Sequence, residues 1–185
     1  MTSRVIHLWI KAPMNESIDA FFSIYEGVVV IRHEDHYFCL QDRDPYHPID
    51  MNLIREKLLE DEMVDFVAFI EPPSQGFESN PLIHILSKLP GGVYTIETLI
   101  PKIVLENHLQ ARQFLKNYYY SLVGPESIQT VIGFIRNDLN ATHTARQLYI
   151  HRNTLIYRLD QFVQRTTIDI RTFRGAFAIY LLFIA

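Results

Sequence analysis

The chain is short of cysteine, of glycine and of any long apolar run, and each shortage removes a class of protein. A single cysteine, Cys39, among 185 residues cannot build an internal disulfide framework. The seven glycines form no Gly-rich phosphate loop, and neither a Walker motif nor a nucleophile elbow occurs. No catalytic residues and no cofactor are therefore expected. The most apolar stretch, AFAIYLLFIA over 176–185, falls well below the roughly 20 residues that cross a bilayer and reads as a buried helix. The start, MTSRVIHLWI, alternates polar and apolar residues where a secretory leader has an unbroken apolar run. Together with the lone cysteine, this sets the expectation of a cytoplasmic protein without a membrane partner. Repeats and low-complexity tracts are missing too. What is present, 48% hydrophobic residues, suffices for one large core or two small ones.

Lysine is missing from residues 126–185, yet that segment is the basic one. It holds seven arginines (136, 146, 152, 158, 165, 171 and 174) against Glu126, Asp138, Asp160 and Asp169, a balance of +3. The chain as a whole carries −4, so residues 1–125 carry −7. Clustered arginine is what neutralising phosphates requires, and the asymmetry suggests an acidic body joined to a basic module.

Periodicity divides the chain in the same place. Val5 to Ile10 reads as a strand, and Glu16 to Glu26, after the cap Asn15, as a helix. Gly27 to His33 and His36 to Gln41 read as a hairpin turning at Glu34-Asp35. After the loop DRDPYHP come an amphipathic helix, Met51 to Met63, and a buried strand, Asp65 to Ile70. EPPSQGFESN is a loop. A helix from Leu82 to Leu89 stops at Pro90-Gly91-Gly92; helical spacing resumes at Thr95, is interrupted by Pro101, and runs from Gln110 to Leu122. The first half thus reads β-α-β-β-α-β, an α+β domain with an antiparallel sheet. Gly124-Pro125 is the expected boundary, giving an acidic sensor or dimerisation domain over 1–124 and an all-α domain over 125–185.

In the second part, Ile128, Val131, Ile132 and Ile135 give a first helix an apolar face. Asn140 caps a short helix, THTARQLY, in which Ala145 is small enough for two helices to cross closely and Leu148 points into the core. Ile150 plugs the turn, and His151 opens a second helix over Arg152 to Gln164. There, Leu155, Leu159, Phe162 and Val163 bury one side, while Arg152, Asn153, Thr154, Tyr157 and Arg158 project from the other. This is the pattern of a helix-turn-helix, whose second helix presents its first turns to base edges in the major groove. Arg and Asn are suited to it because they bond guanine and adenine edges in bidentate fashion. Thr142 and Thr144 on the preceding helix complete the expected DNA-binding set with His151. Spacing alone leaves open an ordinary helical hairpin with solvated side chains.

The run ATHTARQLYIHRNTLIYR over 141–158 closely resembles the C-terminal helix-turn-helix of the PucR/CdaR transcriptional regulators. Their signature, His-Arg-Asn-Thr-Leu, one residue, then Tyr-Arg-Leu, is matched by residues 151–159. Thr166 to Arg171 (TTIDIR) resembles the family's Thr-Gly-Leu-Asp-Leu-Arg, with Thr167 where the family usually has glycine, and an apolar final helix follows. The resemblance extends to VYTIE (93–97) and SLVGP (121–125), covering about half the chain. It implies a regulator binding double-stranded DNA as a homodimer, with an effector the residues do not name. It also implies a central domain like a degenerate GGDEF diguanylate cyclase, compatible with the first half; the residues after Gly91-Gly92 are not those of a working cyclase.

Competing readings are weaker. His33, His36 and Cys39 have ligand spacing, but a hairpin would make the two histidines cross-strand partners at the tip and set Cys39 about 10 Å away, so no metal site is expected. The aromatic residues read as core. The alternative function is a ligand-binding or protein-interaction module whose helix-turn-helix no longer binds DNA, which the acidic total would suit.

Overall fold

The computed structural model describes residues 4–11, 21–22, 24–34, 36–44, 46–73 and 77–184. The chain divides into two compact units, Met1–Pro73 with Leu82–Ile96, and Ser74–Pro81 with Glu97–Ala185.

The first unit is built on a five-stranded sheet in the order β2-β3-β1-β4-β5. Its strands are β1 (Arg4–Ile10), β2 (Val28–Glu34), β3 (Tyr37–Asp42), β4 (Phe66–Ile70) and β5 (Gly92–Tyr94). β1 is central and runs antiparallel to β3 and β4. Alternation explains the packing: Ile6, Leu8 and Ile10 of β1 join Phe38, Leu40, Phe66 and Ala68 in one core with Met51, Ile54 and Leu58 of helix α1 (Met51–Asp61). Asp50 caps that helix by accepting from the N–H groups of Asn52 and Leu53. The loop before it is held by the buried Asp42, whose carboxylate accepts from the N–H groups of Asp44 and Ile49.

The α+β reading holds, with amendments. The sheet is mixed, because β5 pairs in parallel with β4. Sequence periodicity placed no strand at 92–94. The hairpin is present, but its register shifts between Arg32 and Glu34, and Glu34 lies opposite Tyr37, so His33 does not face His36. The helix expected over 16–26 falls mostly outside the described residues; Phe21 and Phe22 are helical. Helix α2 (Asn80–Leu86) begins earlier than expected.

A tight junction fixes β5. Arg55 of α1 donates from Nε (2.6 Å) and Nη2 (3.0 Å) to the two carboxylate oxygens of Asp65. A Cβ on Gly91 would stand 1.9 Å from Asp65 Oδ2, so any other residue there would displace the Asp65 carboxylate from its place against Arg55. The Arg55 guanidinium holds the Asp65 carboxyl below its ordinary range.

The second unit is helical: α3 (Ile96–Leu105), α4 (Leu109–Val123), α5 (Pro125–Arg136), α6 (Ala141–Gln147), α7 (Arg152–Thr166) and α8 (Phe173–Phe183). Pro101 lies inside α3, which runs on to Leu105 instead of breaking there; the proline removes one donor from the ladder without stopping the helix. The units divide at Ile96–Glu97, upstream of the Gly124-Pro125 pair, because α4 packs on α5, α7 and α8. Its Leu115, Tyr118 and Tyr119 are buried, and Arg112 donates to the carbonyls of Leu181 and Leu182 at the end of α8.

Candidate nucleic-acid interface

Three helices and the turns between them make the site. α5 starts with Pro125 in its first turn and buries Ile128, Val131 and Phe134. The chain leaves it through two successive residues in the left-handed region, Asp138 (φ 53°) and Leu139 (φ 60°), a sharp reversal that brings α6 back. Asn140 caps α6 by accepting from the His143 N–H at 3.0 Å. Ala145 is buried at the crossing, and Leu148 is half-buried with its methyls against Gly133 of α5. Tyr149 then takes φ 54°, Ile150 is half-buried, and α7 begins.

His151 caps α7: the Asn153 N–H donates to its Nδ1 at 3.2 Å, leaving Nε2 for an outside partner. Leu155, Leu159, Phe162 and Thr166 form the buried stripe. Val163, expected there, is half-buried. The opposite side of the first turn is open: His151, Arg152, Asn153 and Thr154 are exposed, as is Tyr157 at 63%. Such a platform can offer a guanidinium, an amide and a hydroxyl together to a nucleic-acid edge.

Two residues of the expected set lie elsewhere. Thr144 is completely buried, with its hydroxyl donating to the Asn140 carbonyl at 2.8 Å, so it stabilises α6 and cannot reach DNA; Thr142 is exposed. Arg158 is turned toward α5, where it pairs with Glu126 at 2.6 Å and reaches Thr130 Oγ1 at 3.5 Å. Sequence reasoning passed over His143, Arg146 and Tyr149, all exposed, the last at 96%. The small Ala145, already placed on the inner side of its helix, turns its neighbour Arg146 outward and was the signal for that residue. Arg171, another of the basic residues, pairs with Asp160.

In the sheet unit, Cys39 is buried opposite His7 and Ile31, and burial, followed by the Glu71 carboxylate, pushes its thiol up, away from the thiolate a metal needs. Among the described residues no three His, Cys, Asp or Glu side chains come together as metal ligands. Nor, among them, is any helix long and apolar enough to cross a membrane.

A short capped helix joined by a tight turn to a longer one and packed against it defines the class: residues 125–183 fold as a helix-turn-helix domain flanked by a helix on either side. More particularly, residues 128–185 match the PucR C-terminal helix-turn-helix domain. The chain is 37% identical over 91 residues to the uncharacterized protein YxkF of Bacillus subtilis (strain 168), covering 48% of this chain and 31% of that protein. It is 38% identical over 56 residues to the proline-responsive transcriptional activator PutR of the same strain, covering 30% of this chain and 14% of that one. The match thus spans less than a third of either relative. A crystal structure of a regulator of polyketide synthase expression from Bifidobacterium adolescentis has a TM-score of 0.51 with this chain, at 17% identity, over 98% of this chain and 80% of that one. This last likeness is one of fold.

Proposed function

We propose that the chain is a sequence-specific DNA-binding regulator of the PucR/CdaR type, acting as a homodimer in the cytoplasm and carrying out no catalysis. The observation that carries this reading is the open first turn of α7, where exposed Arg152, Asn153 and Thr154 stand opposite the buried Leu155 and follow the capping His151. Arg152 and Asn153 are the base readers, with Thr154 and Tyr157 beside them and Thr142 and His151 Nε2 on the flanking phosphates. The sheet unit serves dimerisation, the sensing of a small effector, or both. Two-fold symmetry then calls for an inverted-repeat operator, with half-sites about 34 Å apart or a multiple of that.

The test is selection from a random duplex library with the wild type, Arg152→Ala and Asn153→Ala. The wild type should select an inverted repeat, and each variant should lose discrimination, about 1–3 kcal/mol, at its own base pair while keeping its fold. The same base preferences in all three proteins would reject base reading by this helix. Failure of the wild type to bind duplex DNA would favour the alternative, an interaction module built on the same scaffold.

A further inference from the structure

Behind the base-reading turn, the flank of α7 that faces the first turn of α5 forms a groove of about 240 Å³. Glu126, Ser127, Tyr157, Arg158, Gln161 and Arg165 line it. The α7 residues recur at three- and four-residue spacing, which is why one flank collects them. Two guanidiniums, an amide and two hydroxyls converge there, all able to donate, and a single carboxylate opposes them. That carboxylate, Glu126, is 76% exposed and sits 2.6 Å from Arg158.

We infer that this groove seats one phosphate of the DNA backbone, and that Glu126 occupies the phosphate's place on Arg158 until DNA arrives. The inference rests on the DNA-binding reading above and adds a backbone contact to it. At 1.5 Å rise per residue, Arg158 lies about 9 Å along the axis from Arg152 and Arg165 about 18 Å from Asn153. A helix whose first turn enters a major groove about 12 Å wide brings its next turns past the groove's rim, where the phosphates lie. Arginine suits the task because its planar fork bonds phosphate oxygens in pairs. An exposed glutamate on a single-bonded pair exchanges easily for a second anion, since a pair at the surface holds only weakly. Arg158 therefore positions the backbone instead of reading a base, and Glu126 lowers affinity for every sequence alike.

The experiment measures affinity of the full chain for its selected operator and for random duplex across a salt series, with Glu126→Gln and Arg165→Gln beside the wild type. Glu126→Gln should bind both duplexes more tightly, by about threefold at low salt. Arg165→Gln should bind both about fivefold more weakly, with the slope of log affinity against log salt smaller by about 1. Base preferences should not change, and ethylation of one phosphate per half-site should weaken the wild type but not Arg165→Gln. If the wild type selects an operator and neither variant alters affinity or slope, or if either alters base preference, the seat is wrong and the DNA-binding reading stands. If the wild type binds no DNA, both fall. Melting curves that match the wild type exclude damage to the fold as the cause of a loss.

Discussion

Thr167 ends α7 in the left-handed conformation, φ 61° and ψ 4°, with its N–H bonded to the Val163 carbonyl at 2.8 Å. A β-branched side chain is poorly suited to that region, and the regulators this segment resembles use glycine. Thr167→Gly should therefore stabilise the helical unit by about 0.5–1 kcal/mol, read as a higher melting temperature by circular dichroism. An unchanged or lower melting temperature would mean that the Thr167 hydroxyl bond to the Thr166 carbonyl, 2.6 Å, outweighs the strain. Asp65 gives a second expectation, in pH. Its pKa is depressed in the fold, first by the hydrogen bond from Arg55, so its contribution is complete above the unfolded Asp value of about 3.9 and disappears as pH falls through the lower folded value. Asp65→Asn should cost about 1 kcal/mol at neutral pH, and the two proteins should converge in strong acid. A difference that persists at low pH would assign the cost to packing against Gly91.

Whole helices impose a stricter condition at Gly175, in the first turn of α8. A Cβ there would lie 2.2 Å from the Asp169 carbonyl oxygen, a backbone atom that cannot turn aside, while the Gly175 N–H donates to the capping Thr172 hydroxyl at 3.1 Å. Gly175→Ala should push α8 off the turn that follows α7 and cost at least about 2 kcal/mol, measured by urea denaturation. What could be read from the sequence follows from how local each feature is. Helices α1, α4, α5 and α7 declare themselves by apolar spacing, and the first turn of α7 lies within one continuous run, residues 141–158, so its motif was legible. β5 is three residues long, begins at the second glycine of Pro90-Gly91-Gly92, and is a strand only because β4 lies beside it, which no period within it could show. The same holds for the junction of Arg55, Asp65 and Gly91, three residues far apart in the chain. Thr144 was misplaced because residue type suggested a polar face where helix phase puts it inside, its hydroxyl satisfied by the backbone. The partners of Arg158 lie on another helix, out of reach of spacing along its own.

For the molecule as a whole, composition located the change from an acidic to a basic part, while packing places the division between compact units earlier, at Ile96–Glu97. Fragments separate the two. A fragment of residues 97–185 should melt cooperatively, whereas 125–185, deprived of the buried Leu115, Tyr118 and Tyr119, should be less stable by at least about 2 kcal/mol. Equal stability of the two would place the boundary at Gly124-Pro125. The contact of Arg112 with the Leu181 and Leu182 carbonyls has a meaning for inheritance. A recombination break at 124 would hand on the helix-turn-helix without the guanidinium that closes the last turn of its final helix, and the receiving gene would have to supply a substitute. A break at 96 transfers the arginine with them, so the heritable cassette is longer than the helix-turn-helix itself.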